Sequence, residues 1–143
     1  EAYNETGTDR QKAWDLLNSV RTRAEATSIT EANYDEMMSA RKKTHNLTFI
    51  DDSTPEGKFR TALYWERGFE LAFEGQRKYD LIRWGVLGKA LKLFGEISSV
   101  NQKENKPYPA YRNFTEGKHE LFPIPLKEIQ SNPKLNGMNN NGY

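Results

Sequence analysis

The sequence predicts an all-α fold, mainly helical, assembled from helix hairpins with a long loop and an extended C-terminal tail. Three observations carry this. Apolar residues recur at three- and four-residue spacings in three separate windows, around Trp14, Phe59 and Trp84. Residues that stop or start helices border those windows: Gly7 before the first, Thr54-Pro55 before the second and Gly75 between the second and third. From Gly95 to about Glu120 neither a helical nor a strand period is visible. At 143 residues the chain amounts to one domain with a single core. Its 36% hydrophobic content is low for a self-sufficient globule, as is its mean hydropathy of -0.90. Such a composition fits a piece whose core is shared, with aromatic residues carrying much of the burial.

Residues 1–7 read as the end of a helix stopped by Gly7. Thr8 with Gln11 forms a capping-box pattern for the next helix, which is expected to bury Ala13, Trp14, Leu17, Val20 and Ala24. Arg21 and Arg23 near its end suit the helix dipole. A helix end, a glycine turn and an aromatic-bearing second helix make a hairpin of tetratricopeptide-like shape, although no 34-residue self-similarity marks a regular array. Ala32 to Lys43 predicts a short helix burying Tyr34, Met37 and Met38, and Leu47 to Ile50 an extended piece. Thr54 followed by Pro55 opens a helix running to about Gly75. The next is expected from about Lys78 to Phe94, burying Leu81, Trp84, Leu87, Leu91 and Phe94. Near the C-terminus Pro125 opens a short helix, Leu126 to Gln130, ended by Asn132-Pro133.

The stretch WERGFELAFEGQRKYDLIRW, from Trp65 to Trp84, is unusual in its charge placement. On a helix from Phe59 to Glu74, the carboxylates Glu66, Glu70 and Glu74 share a face with Phe59, Ala62, Leu63, Phe69 and Phe73. Burying carboxylates there is costly unless each is paired and hydrogen-bonded. The sequence places Arg67, Arg77 and Arg83 nearby, with Asp80 one turn from the last two. This predicts a buried ionic network between two packed helices, with Gly75 as a left-handed cap between them. Three carboxylates on one stripe also fit glycosidase acids or metal ligands. Arginines ready to neutralise them favour the structural reading.

Read as E-R-x-x-E-L-A-F-E-G-x-R-x-x-D-L-x-R-W-G from Glu66 to Gly85, this stretch resembles the C-terminal signature of the SusD/RagB family. The phrase A-Y-N with A-x-x-L-L-N-x-V-R-x-R-A, ending at Ala24, extends the resemblance, as do Leu121 to Pro125 and Asn140 to Tyr143. Gly68 departs from it, standing where the family usually has a bulky or basic residue. The resemblance implies irregular tetratricopeptide-like hairpins. It also implies that residues 1–143 are the C-terminal part of a longer protein whose N-terminal part is missing. The implied activity is non-catalytic: binding an oligosaccharide or other nutrient at the outer-membrane cell surface for delivery to a SusC-like TonB-dependent transporter. The full-length protein would be lipid-anchored, the anchor lying outside this chain.

The residues themselves offer little chemistry. No cysteine is present, which excludes disulfides and thiolate metal sites. Net charge is +1, so nucleic-acid binding has no electrostatic footprint. No apolar run approaches the roughly 20 residues of a membrane helix. His45 and His119 lack metal-ligand spacing and read as loop residues. There is neither a nucleophile elbow nor a phosphate loop, so no catalytic residue, metal or cofactor is expected. Asn4, Asn46 and Asn113 begin N-x-T sequons, a pattern too frequent by chance to inform. Trp14, Trp65 and Trp84 lie in helical patterns and read as core. Tyr108, Tyr111, Arg112 and Phe114 sit instead in the non-periodic loop, where aromatic faces beside an arginine suit a carbohydrate ring. The alternative there is a loop packing its aromatics onto the helices. Two other classes of function stay open: a helical-repeat adaptor for another protein, and a glycosidase using Glu66, Glu70 or Glu74.

Overall fold

The computed structural model describes residues 1–97 and 109–143. Among them regular structure is helical throughout, with no strand. Two compact units divide the chain, residues 1–80 and 81–143.

In the first unit α1 (Ala2–Thr6) stops at Gly7, whose left-handed φ of 66° returns its N–H to Asn4. The next helix, α2 (Arg10–Arg23), is capped by Asp9, which accepts from the Lys12 N–H, and not by Thr8. The Thr8 hydroxyl meets that of Thr6. A carboxylate is at least as good a cap as a hydroxyl and adds favourable charge at the positive helix end. α2 buries Ala13, Trp14 and Leu17; Val20 is half-buried and Ala24 exposed. Past it, Asn18 closes a loop by exchanging two hydrogen bonds of 2.8 Å with the backbone of Ile29.

α3 (Tyr34–Thr44) buries Tyr34 and Met38, with Met37 partly covered. The expected extended piece after it is a turn: Thr48 and Ile50 donate to the carbonyls of Asn46 and Leu47. Leu47 alone there is buried. Thr54 caps α4 (Pro55–Glu70), its hydroxyl accepting from Gly57 N–H and Pro55 opening the first turn. Tryptophan and phenylalanine join α2 to α4: the Trp14 and Phe59 rings meet edge to face at 5.0 Å. Around that pair lie Ala13, Leu17, Ile29, Tyr34, Met38 and Ala62.

α4 ends at Glu70, a turn earlier than the apolar spacing predicts. Phe73 and Gly75 adopt φ of 67° and 74°, which a right-handed helix does not accommodate. Phe73, expected on the buried face, is fully exposed, and Phe69 is 51% exposed. The single helix expected over Lys78–Phe94 is two, α5 (Arg77–Arg83) and α6 (Leu87–Ile97). Gly85 at φ 66° ends the first, with Gly85 and Val86 N–H groups returning to the carbonyls of Ile82 and Leu81. The apolar period runs through this break because both helices turn the same kind of residue inward. Leu81 and Leu87 are buried, Trp84 and Leu91 half-buried, and Phe94 is 49% exposed.

In the second unit α7 (Pro109–Arg112) lies in the stretch that shows no period. α8 (Leu126–Ser131) follows Pro125, and a 3-10 turn (Pro133–Leu135) is capped by Asn132. The tail is extended but held. Asn139 exchanges two hydrogen bonds with the backbone of Ile124, Asn140 donates to Phe122 O, and the Tyr143 hydroxyl donates to Leu121 O. Amide side chains thus do for the LFPIP segment what a sheet partner would do, and prolines do not interrupt them.

Candidate functional site

The charged stretch contains ion pairs to more than one neighbouring helix. Arg67 grips Asp80 with two bonds, Nε and Nη2 donating at 2.7 and 2.8 Å, and the Asp80 side chain is 7% exposed. Arg77 donates to the Tyr64 carbonyl and lies 3.8 Å over the Tyr64 ring. Glu66 pairs with Arg21 of α2, both largely buried. Glu70 also reaches α2, bridging to Arg23 at the surface. Glu74 is exposed in the turn after α4, and Arg83 lies beside the Trp84 ring at 5.3 Å. Glu70 and Glu74 are exposed, so these two of the seven residues lie outside any buried network. Helix spacing points to neighbours within one stretch, whereas packing of α2 on α4 supplies the partners of two of the glutamates.

Of the loop residues, Tyr108 falls outside the described residues. Tyr111, at 36% exposure, and Arg112 face solvent. Phe114 is half-buried, and its ring lies where a side chain at Gly88 would stand: a Cβ there would meet Cε1 at 2.8 Å. It also neighbours the His119 ring at 6.0 Å. The His119 Nδ1 accepts from Thr115 N–H, tying this histidine to its own turn. Tyr111 and Arg112 are thus the outward-facing pair of this loop, and Phe114 is its anchor on α6.

A second aromatic group escaped the sequence reading. Trp65 and Phe69, one turn apart on α4, stack with planes 18° apart and centroids 6.1 Å apart. Arg41 of α3 lies 4.5 Å from the Phe69 centroid and 5.4 Å from that of Trp65. The exposed His45 ring meets Trp65 at 6.1 Å. The i, i+4 spacing of Trp65 and Phe69 was the available signal, but it reads equally as core packing. Among the described residues no group of histidines and carboxylates is arranged to hold a metal ion, and no helix is long and apolar enough to cross a membrane.

Comparison with known proteins gives the family. The model of the SusD family matches residues 1–143, and the chain belongs to that family. Two SusD-like proteins of Formosa agariphila are similar to it. P25 is 40% identical over 87 residues, covering 59% of this chain and 15% of that protein. P2 is 31% identical over 143 residues, covering 100% of this chain and 23% of that protein. The chain thus spans less than a quarter of the length of these curated relatives. No solved structure matches it. Proteins of the SusD family are generally nutrient- and glycan-binding, non-catalytic, and typically lipoproteins of the outer membrane.

Proposed function

We propose that this chain is part of a cell-surface protein that captures an oligosaccharide or another nutrient without cleaving it and passes it to a SusC-like TonB-dependent transporter. The family match along all 143 residues carries this reading. The ion pairs agree with it. A glycosidase needs two carboxyl groups free to hold a proton or attack. Here Glu66 and Glu70 are each held by an arginine of α2, and Asp80 by Arg67. Binding then rests on aromatic faces and hydrogen-bond donors, and Tyr111 with Arg112 form one such surface, backed by Phe114.

Calorimetry of the full chain against a panel of oligosaccharides, with released sugars assayed in the same samples, tests this. Heat of binding with no new reducing ends is the expected result. Release of product would overturn it in favour of a carboxylate enzyme, and silence across the panel would remove the glycan reading. Replacing Tyr111 by Ala should weaken binding about tenfold where the loop holds the sugar, stacking contacts being worth about 0.5–1.5 kcal/mol beyond area.

A further inference from the structure

In the first unit, Arg10, Arg21, Arg23, Arg60 and Arg67 each hold a carboxylate, and Arg77 holds a backbone carbonyl. Arg41 differs. Its guanidinium lies over the faces of Phe69 and Trp65, and among the described residues none of its N–H groups meets an acceptor. Ring faces attract a cation but satisfy no hydrogen bond, so the fork of five donors stays available. The stacked rings restrict the arginine's rotamers before any ligand arrives, which reduces the entropy lost on binding. Beside it the exposed half of Phe69 offers apolar contact, and the exposed His45 and Asn46 border a small indentation next to Trp65. Lys42, the neighbouring cation, is already engaged by Asp35 and Asp52, whereas Lys43 stands exposed at the helix end.

We infer that the Arg41–Trp65–Phe69 ledge is a binding site for the anionic group of an acidic saccharide, a carboxylate or a sulfate ester, with the sugar's C–H face against Phe69. A guanidinium fork matches either group with two parallel bonds, and a neutral sugar would leave it unused. This inference rests on the glycan-capture reading and narrows its ligand class.

The test is calorimetry of the full chain with three probes: a sulfated galacto-oligosaccharide, the same oligosaccharide desulfated, and an oligogalacturonate. The charged probes should bind more tightly than the neutral one, and the two of them separate sulfate from carboxylate as the preferred group. Arg41→Gln should weaken binding of the preferred charged probe about tenfold, the scale of a charge-assisted pair, and leave the neutral probe unchanged. Arg41→Lys should restore only part of the loss, because the charge returns without the fork. Preference for charged probes that survives Arg41→Gln overturns the inference while glycan capture stands. Equal weakening of charged and neutral probes also overturns it, by making Arg41 a structural residue. Absence of binding by all three probes removes both the inference and the glycan reading beneath it.

Discussion

Asp80 and Glu70 lie ten residues apart and both meet an arginine, but water reaches them differently. The Asp80 carboxylate is buried and doubly bonded, so removing it takes both bonds from the Arg67 guanidinium, which is 35% exposed and keeps partial access to water. Asp80→Ala should lower unfolding free energy by about 2 kcal/mol, measured by urea denaturation. Glu70 and Arg23 are 38% and 67% exposed, and Glu70→Ala should change stability by less than about 1 kcal/mol. The spacing of acids and bases announced that carboxylates here would be paired. It did not reveal with whom, because the partners of Glu66 and Glu70 come from α2, far away in sequence. Tyr34 gives a second test at this scale. Burial is the main cause pushing its hydroxyl well above the ordinary tyrosine value of about 10, and its hydrogen bond to Asp52 adds to that. A folded-state value raised above the unfolded one favours the neutral form. That stability is fully present below pH 10 and is lost as pH rises past it. Stability should therefore fall above about pH 10, and Tyr34→Phe should flatten the fall, after a loss of about 1 kcal/mol at neutral pH for the missing bond.

Elements are governed by what a backbone tolerates, and three glycines show it. Gly68 lies inside α4, where a Cβ would stand 3.6 Å from the Arg77 guanidinium, an ordinary contact. Glycine weakens a helix interior, so Gly68→Ala should stabilise the protein by about 0.5–1 kcal/mol in thermal or urea unfolding. Gly57, in the first turn of the same helix, cannot be treated alike. A Cβ there would lie 1.7 Å from the Asp51 carbonyl oxygen, and Gly57→Ala should cost about 3 kcal/mol or more as the loop before α4 is displaced. The same helix thus carries one glycine that fits only as glycine and one that does not need to be. Sequence spacing made α2, α3 and α4 legible because their apolar periods are clean. It misplaced the break at Gly85 and the end of α4, since a left-handed residue between two helices of like phase leaves the apolar period intact. A mid-pattern glycine was the only sign of the first, and Phe73 gave none of the second, being an unusual residue for positive φ.

At the scale of the whole chain, the all-α class was readable from periodicity, whereas the low apolar content gave no sign of how the burial would be divided along the chain. Residues 1–80 enclose a core of eight buried side chains centred on Trp14, Tyr34 and Phe59. In residues 81–143 the described residues bury only Leu81, Leu87 and Ala90 among hydrophobics, while Leu121, Phe122, Leu126 and Met138 remain more than half exposed. Apolar surface left in water contributes nothing to folding, at about 25 cal/mol for each Å² not buried. Among the described residues of the second unit, asparagine side chains tie the tail to the LFPIP segment, and each such bond contributes only about 1 kcal/mol net. Local opening should follow that division. In native-state hydrogen exchange, amides of α2 and α4 should be the most protected, those of α6 intermediate, and those of α8 and the tail the first to exchange. Asn139→Ala should speed exchange around Ile124 at least tenfold and leave α2 and α4 untouched, since it removes two bonds worth about 1–3 kcal/mol together. Equal protection of α4 and α8, or a response of α2 to Asn139→Ala, would show that the two units open as one, and the buried core of residues 1–80 would then have to support the tail as well.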